Sequence, residues 1–198
     1  MNTKAGFLKY VLNPFEYIAG LRALLIGLTG MALSIALGVI FDARFDGVLN
    51  LHFTEDSTFY QVVTDQCINY LSLCGVFYLL LSGLGARQTR FIDLAGTLLL
   101  AMAPVSILPI FNYNGILYQS SVQMIGQLQT PGSGKDVPAI VFVAGFCMLA
   151  VIAWTVALFY QSYKICSNFK GPKLIISFSA GLLLAIVISK YLINLISL

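Results

Sequence analysis

The sequence predicts an all-α polytopic membrane protein: a bundle of five transmembrane helices with a short N-terminal interfacial helix, forming one domain over residues 1–198. Two observations lead there. Hydrophobic residues make up 59% of the chain and charged residues 10%, against about 45–50% and about 25% in soluble domains. So much apolar surface with so little charge suits neither a water-facing globule nor a disordered chain. Secondly, the chain holds long runs without Asp, Glu, Lys, Arg or His, at 23–41, 66–86, 94–134, 137–163 and 174–189. A helix needs about 20 apolar residues to cross hydrocarbon.

The N-terminal segment shows Phe7, Leu8, Val11, Leu12 and Phe15 on one helical face. A short interfacial helix near 5–12 follows, with Lys4 and Lys9 toward headgroups. Asn13-Pro14-Phe15-Glu16 then looks like a new helix start: Asn13 as cap, Pro14 at the first position, Glu16 reaching back. From Asn13 the helix is expected to run into the membrane, and residues 1–22 do not read as a cleavable signal.

The first span is placed at about 21–41, with Gly27, Ser34 and Gly38 on one stripe suited to close helix packing. The polar stretch 42–65 follows. Residues 47–53 alternate weakly, as a strand or hairpin does, and 55–58 carry cap residues for what comes next. Its acids lack calcium-loop spacing and read as a solvated face. His52, the single histidine, reads as surface.

The second span is placed at about 66–86. Gln66 and Asn69, one turn apart, are placed to bond between helices or to line a vestibule. The third, about 94–112, contains Pro104 and Pro109, which must interrupt the helix. Two readings stand for this break: a kink packed on neighbours, or a polar cavity lined by Gln66, Asn69, Ser106 and Asn112. Residues 114–129 mix apolar residues with glutamines and serines, as in a surface helix or re-entrant piece, and 130–134 form a turn. The fourth and fifth spans are placed at about 138–161 and 173–194. Lys190 and Asn194 lie near the end of the fifth, where a lysine snorkels easily.

Charge decides between five spans and six. Five spans put eight lysines and arginines on one side (Lys4, Lys9, Arg22, Arg87, Arg90, Lys164, Lys170, Lys173) and three on the other (Arg44, Lys135, Lys190). Six spans soften the split to seven against four. The positive-inside rule favours the sharper asymmetry, with the N-terminus cytoplasmic and the C-terminus outside. Tyr10, Tyr17, Tyr60, Phe159, Tyr160 and Tyr163 fall near span ends, where amphipathic rings favour the interface.

The search for chemistry yields no catalytic, cofactor or metal site. Cys67, Cys74, Cys147 and Cys166 form no Cys-x-x-Cys pair and read as buried small hydrophobes. No serine–histidine or serine–lysine arrangement, zinc box or phosphate loop is recognised. The net charge of +3 comes from one face, which accounts for it without nucleic acid. The implied partners are the lipid bilayer and a protein partner or a homo-oligomer. The alternative is a small oligomeric transporter or channel at the broken third helix.

Four stretches together resemble a known family. They are Leu12-Asn13-Pro14-Phe15 before the first span, Arg90-Phe91-Ile92-Asp93-Leu94-Ala95-Gly96-Thr97 entering the third, Ala103-Pro104 within it, and the fourth span from Ala153-Trp154 to Tyr163. Over essentially the whole chain this is similar to the Yip family, the Ypt/Rab-interacting membrane proteins. The resemblance implies five spans, a cytoplasmic N-terminus and a non-enzymatic role as membrane organiser or adaptor. Asn13, Pro14, Asp93, Gly96 and Pro104 are its pattern positions. Eukaryotic members associate with Rab GTPases and usually carry a long soluble N-terminal region. Only about 20 residues precede the first span here, a departure that points to a bacterial inner-membrane relative.

Overall fold

The structure, a computed structural model, describes residues 10–86, 89–129 and 138–196, with 127–129 as backbone only. The expected interfacial helix falls mainly on residues outside the described ones. Tyr10–Leu12 form a helical turn, and Pro14–Glu16 a single 3₁₀ turn. The chain then breaks, so the helix expected to run on from Asn13 does not. Asn13 makes no cap hydrogen bond to the backbone; its Nδ2 donates to Glu16 Oε1 at 3.1 Å. The start signals at 13–16 close one turn. The membrane helix α1 begins at Gly20 and runs Gly20–Ile40. Gly20 has φ +56°, a left-handed conformation that glycine adopts without a Cβ clash.

The polar stretch forms a hairpin, β1 Ala43–Gly47 and β2 Asn50–Phe53, pairing Arg44 with His52 and Gly47 with Asn50. Thr58 then caps α2, Phe59–Gly83, through a reciprocal box with Gln61. Helix α2 therefore starts seven residues before the predicted span and takes Asp65 inside it.

The third span is composite. Helix α3 covers Phe91–Ala101, and a 3₁₀ segment follows over Ala103–Gly115 with non-helical backbone at Asn112, Tyr113 and Asn114. Eleven α-helical residues reach only about 16 Å. The 3₁₀ stretch up to Asn112, rising about 2 Å per residue, adds about 20 Å, so the two together cross a bilayer core of about 30 Å. Helix α4, Ile116–Gln129, then lies where a surface helix was expected. Helices α5, Ala139–Ser167, and α6, Gly171–Ile196, complete five segments that, among the described residues, are long and apolar enough to cross a membrane.

Small residues fix the first contact. Gly27 and Ser34 are buried on α1, and a Cβ on Gly27 would lie 2.7 Å from the backbone nitrogen of Leu100. Helix α1 thereby packs backbone to backbone on α3. Helix α2 packs chiefly on α6, with Phe77 against Gly181. Helix α5 lies on α3 and the 3₁₀ segment, with few of its residues buried.

Two expectations on side chains are corrected. Phe159 and Tyr163 are fully buried instead of interfacial: Phe159 lies in the hydrophobic core, and Tyr163 joins Phe77 and Phe178 in an aromatic cluster, 4.9 Å from Phe77 between ring centroids. Cys147 is exposed, since it lies on the uncovered face of α5. Cys74 is buried, and all four cysteines are free.

Candidate functional sites at the two ends of the bundle

At the proline break, Pro104, Ser106, Pro109 and Asn112 are all buried. Ser106 Oγ donates to Ala103 O at 2.6 Å, satisfying a carbonyl beside the interruption. Asn112 Nδ2 donates to Phe41 O at the end of α1, while its Oδ1 accepts from the backbone of Leu117 and Tyr118. It thus serves as the N-terminal cap of α4. Gln66 Nε2 donates to Ser34 Oγ of α1 at 2.6 Å, and Asn69 Nδ2 to Phe45 O of β1 at 2.7 Å. The helix break is present; Gln66, Asn69 and Asn112 each hold a neighbouring element, Ser106 bonds within its own segment, and Asn69 Oδ1 is buried with no hydrogen-bond partner among the described residues. They do not converge on one space: Asn112 borders a surface recess with Phe41 and Tyr113, while Gln66, Asn69 and Ser106 line none of the three cavities described.

The end of the bundle that carries the hairpin holds an ion pair that the charge count passed over. Arg44 Nε and Nη2 each donate at 2.9 Å to one carboxylate oxygen of Asp65. Asp65 is almost fully buried. The hydrogen bond to Asp65 raises the Arg44 pKa above its ordinary value; burial opposes this, and the charges of Asp65 and Asp46 add to it. Other bonds fasten the hairpin to the helices: Ser57 Oγ to Gly38 O, and Val48 N to Ser189 Oγ. His52 Nδ1 lies 3.3 Å from Asp46 Oδ1. Burial works to raise the Asp46 pKa, but the His52 contact and charge, a backbone hydrogen bond and the charge of Lys190 bring it below the usual value. Lys190 and Asn194 are both exposed.

At the opposite end two pattern positions of the resemblance, Asp93 and Gly96, meet the start of α1. Asp93 Oδ1 lies 3.1 Å from where a Gly20 Cβ would stand, at the first residue of α1. A negative charge is favourable at a helix N-terminus. Gly96 meets the same turn of α1. Phe15 is buried in the core, and Trp154 Nε1 donates to Val11 O, which holds the N-terminal segment on α5.

Beside this region lies a recess of about 680 Å³ between the loop after α2 and the α5–α6 turn, lined in part by Ala86, Thr89, Ile165, Asn168 and Phe169. Thr89 Oγ1 donates to Cys166 O, and Lys173 Nζ to Leu84 O, so both walls are tied together. Asn168, at φ +55°, ends α5 in the left-handed conformation. Among the described residues this end exposes Arg22, Arg90, Lys164, Lys170 and Lys173, with Glu16 and Asp93 as its acids. Arg87, expected on the same face, lies outside the described residues. Among the described residues, no group of three or more potential metal ligands is brought together. Comparison of the chain with protein-family models, with curated proteins and with solved structures finds no match.

Proposed function

We propose that this multi-pass membrane protein is a non-enzymatic organiser or adaptor that works by docking an acidic segment of a protein partner at its basic end. One observation carries the reading: the 680 Å³ recess with Lys164 and Lys170 beside it. Complementary charge steers such encounters and sets their orientation. The resemblance to the Yip family supports the same role, and with it a bacterial inner membrane and a cytoplasmic N-terminus, which makes the basic end the cytoplasmic one. The transport alternative rests on the proline break, where Ser106 and Asn112 are engaged by protein atoms.

A photo-crosslinking amino acid at Asn168, in the full chain in living cells, tests the reading. A discrete adduct is expected, and it should vanish when Lys164→Glu and Lys170→Glu are combined. An adduct that persists undiminished in the charge-reversed protein refutes docking by charge, and absence of any adduct refutes docking at this recess.

A further inference from the structure

The hairpin end contains a cavity of about 260 Å³ between the first turns of α2 and the last turns of α6. That is room for about eight or nine water volumes, the scale of a polar headgroup. Its polar wall is made of Arg44, Gln61, Thr64 and the Asp65 paired with Arg44, and its apolar wall of Ile68, Ile193 and Ile196.

The polar wall is rich in unused donors. Asp65 takes the Nε–H and one Nη2–H of Arg44. Three of the five guanidinium N–H groups are left with no acceptor among the described residues. Gln61 uses its Oε1 to accept from Thr58 N, which leaves its amide N–H groups free. The Thr64 hydroxyl has no partner among the described residues. The carboxylate of Asp65 is already committed through both oxygens, so it offers little to a donor ligand. A ligand that fits must bring several acceptor oxygens and no need for acceptors, and a phosphate ester does so. A guanidinium binds it through parallel N–H bonds.

The cavity lies where two spans end, with Tyr60 on its rim and Tyr191 nearby on α6, both strongly exposed. Tyrosine favours the headgroup level of a bilayer. Ile68, about two turns deeper than Tyr60 on α2, and Ile193 and Ile196 on the last turns of α6 form an apolar wall for an acyl chain.

We propose that this cavity is a phosphate-ester site, taking a phospholipid whose phosphate meets Arg44, Gln61 and Thr64 while its chain lies along Ile68, Ile193 and Ile196. This site is at the opposite end from the docking recess and does not depend on it. The ion pair with Asp65 holds the guanidinium flat and half-used, so its free edge is presented to the ligand before binding.

The test uses the full chain in a neutral detergent and measures the Kd of three probes: dihexanoylphosphatidylcholine, dihexanoylglycerol and glycerol 3-phosphate. The phospholipid should bind about tenfold or more tightly than dihexanoylglycerol, the scale of one charge-assisted hydrogen bond. Thr64→Val removes a donor, and Ile196→Trp narrows the rim. Both leave the ion pair intact, and a fluorescence-monitored Tm verifies that each variant is folded. Weakened phospholipid binding in either variant supports the site. Glycerol 3-phosphate binding as tightly as the phospholipid assigns the site to soluble phosphate esters, and much weaker binding assigns it to lipid. Equal affinity for the two acyl probes, or unchanged affinity in both variants, overturns the proposal.

Discussion

The carbonyl oxygen of Gly20 on α1 stands 2.5 Å from the point where a β-carbon on Gly96 of α3 would sit. The obstacle is backbone, which no rotamer change can move aside. Gly96→Ala should therefore cost about 1–3 kcal/mol, the usual range for overpacking, and Gly27→Ala should do the same against Leu100. Gly145 on α5 has nothing within 4 Å of its would-be β-carbon. Gly145→Ala should be neutral or gain up to about 1 kcal/mol in helix propensity. Denaturant unfolding in one detergent, followed by circular dichroism, compares the three.

Removing one member of the Arg44–Asp65 pair should be far worse than removing both. Asp65→Ala leaves a guanidinium without its counter-ion, and Arg44→Ala leaves a buried carboxylate; each should cost about 3–5 kcal/mol. Arg44→Met with Asp65→Leu should recover most of that loss. A double-mutant cycle in thermal unfolding measures the coupling.

Acid should loosen the hairpin through Asp46. Its pKa in the folded protein is lowered, so the stabilisation is present above its ordinary value of 3.8 and is lost as pH falls through the lower folded value. Stability should thus decline on the acid side of 3.8, and Asp46→Asn should flatten that part of the curve. Unfolding midpoints of both proteins across this range decide it.

A cysteine at the proline break should be sheltered. In a cysteine-free background, Ser106→Cys should resist a membrane-impermeant maleimide from either side, whereas Asn168→Cys should label from the basic end. Rapid labelling at position 106 would revive the transport alternative.

The number of spans was legible because membrane crossing depends on summed local hydropathy, which charge-free runs display directly. Pro104 and Pro109 announced the interruption of the third span for a similar reason: a missing N–H is a local property. Asp65 shows where local reading stops. Its charge marked the edge of a predicted span, yet α2 begins at Phe59, because the counter-charge comes from Arg44, 21 residues away in sequence. A pairing across a hairpin leaves no periodic trace. Asn13 shows the converse, with strong start signals used for one short turn. The polar residues of the candidate cavity, Gln66, Asn69, Ser106 and Asn112, were visible as polar residues in apolar segments, but their partners are set by which helices meet. Gly27 stood out as a small residue and Gly96 only as a position of the resemblance, and the crossing of α1 and α3 joined them.

That crossing order bears on how the chain is built. Helix α1 finds its main neighbour in α3, but α2 packs chiefly on α6, which follows it in the chain with α3, α4 and α5 between them. Synthesis runs from the N-terminus, so α2 enters the bilayer carrying Gln66 and Asn69 long before α6 exists to cover its flank. Its early shelter is what precedes it: Ser34 for Gln66, and the hairpin for Asp65 and Asn69. The hairpin is thus placed to escort α2, the least apolar of the five spanning segments, until α6 arrives to pack on it.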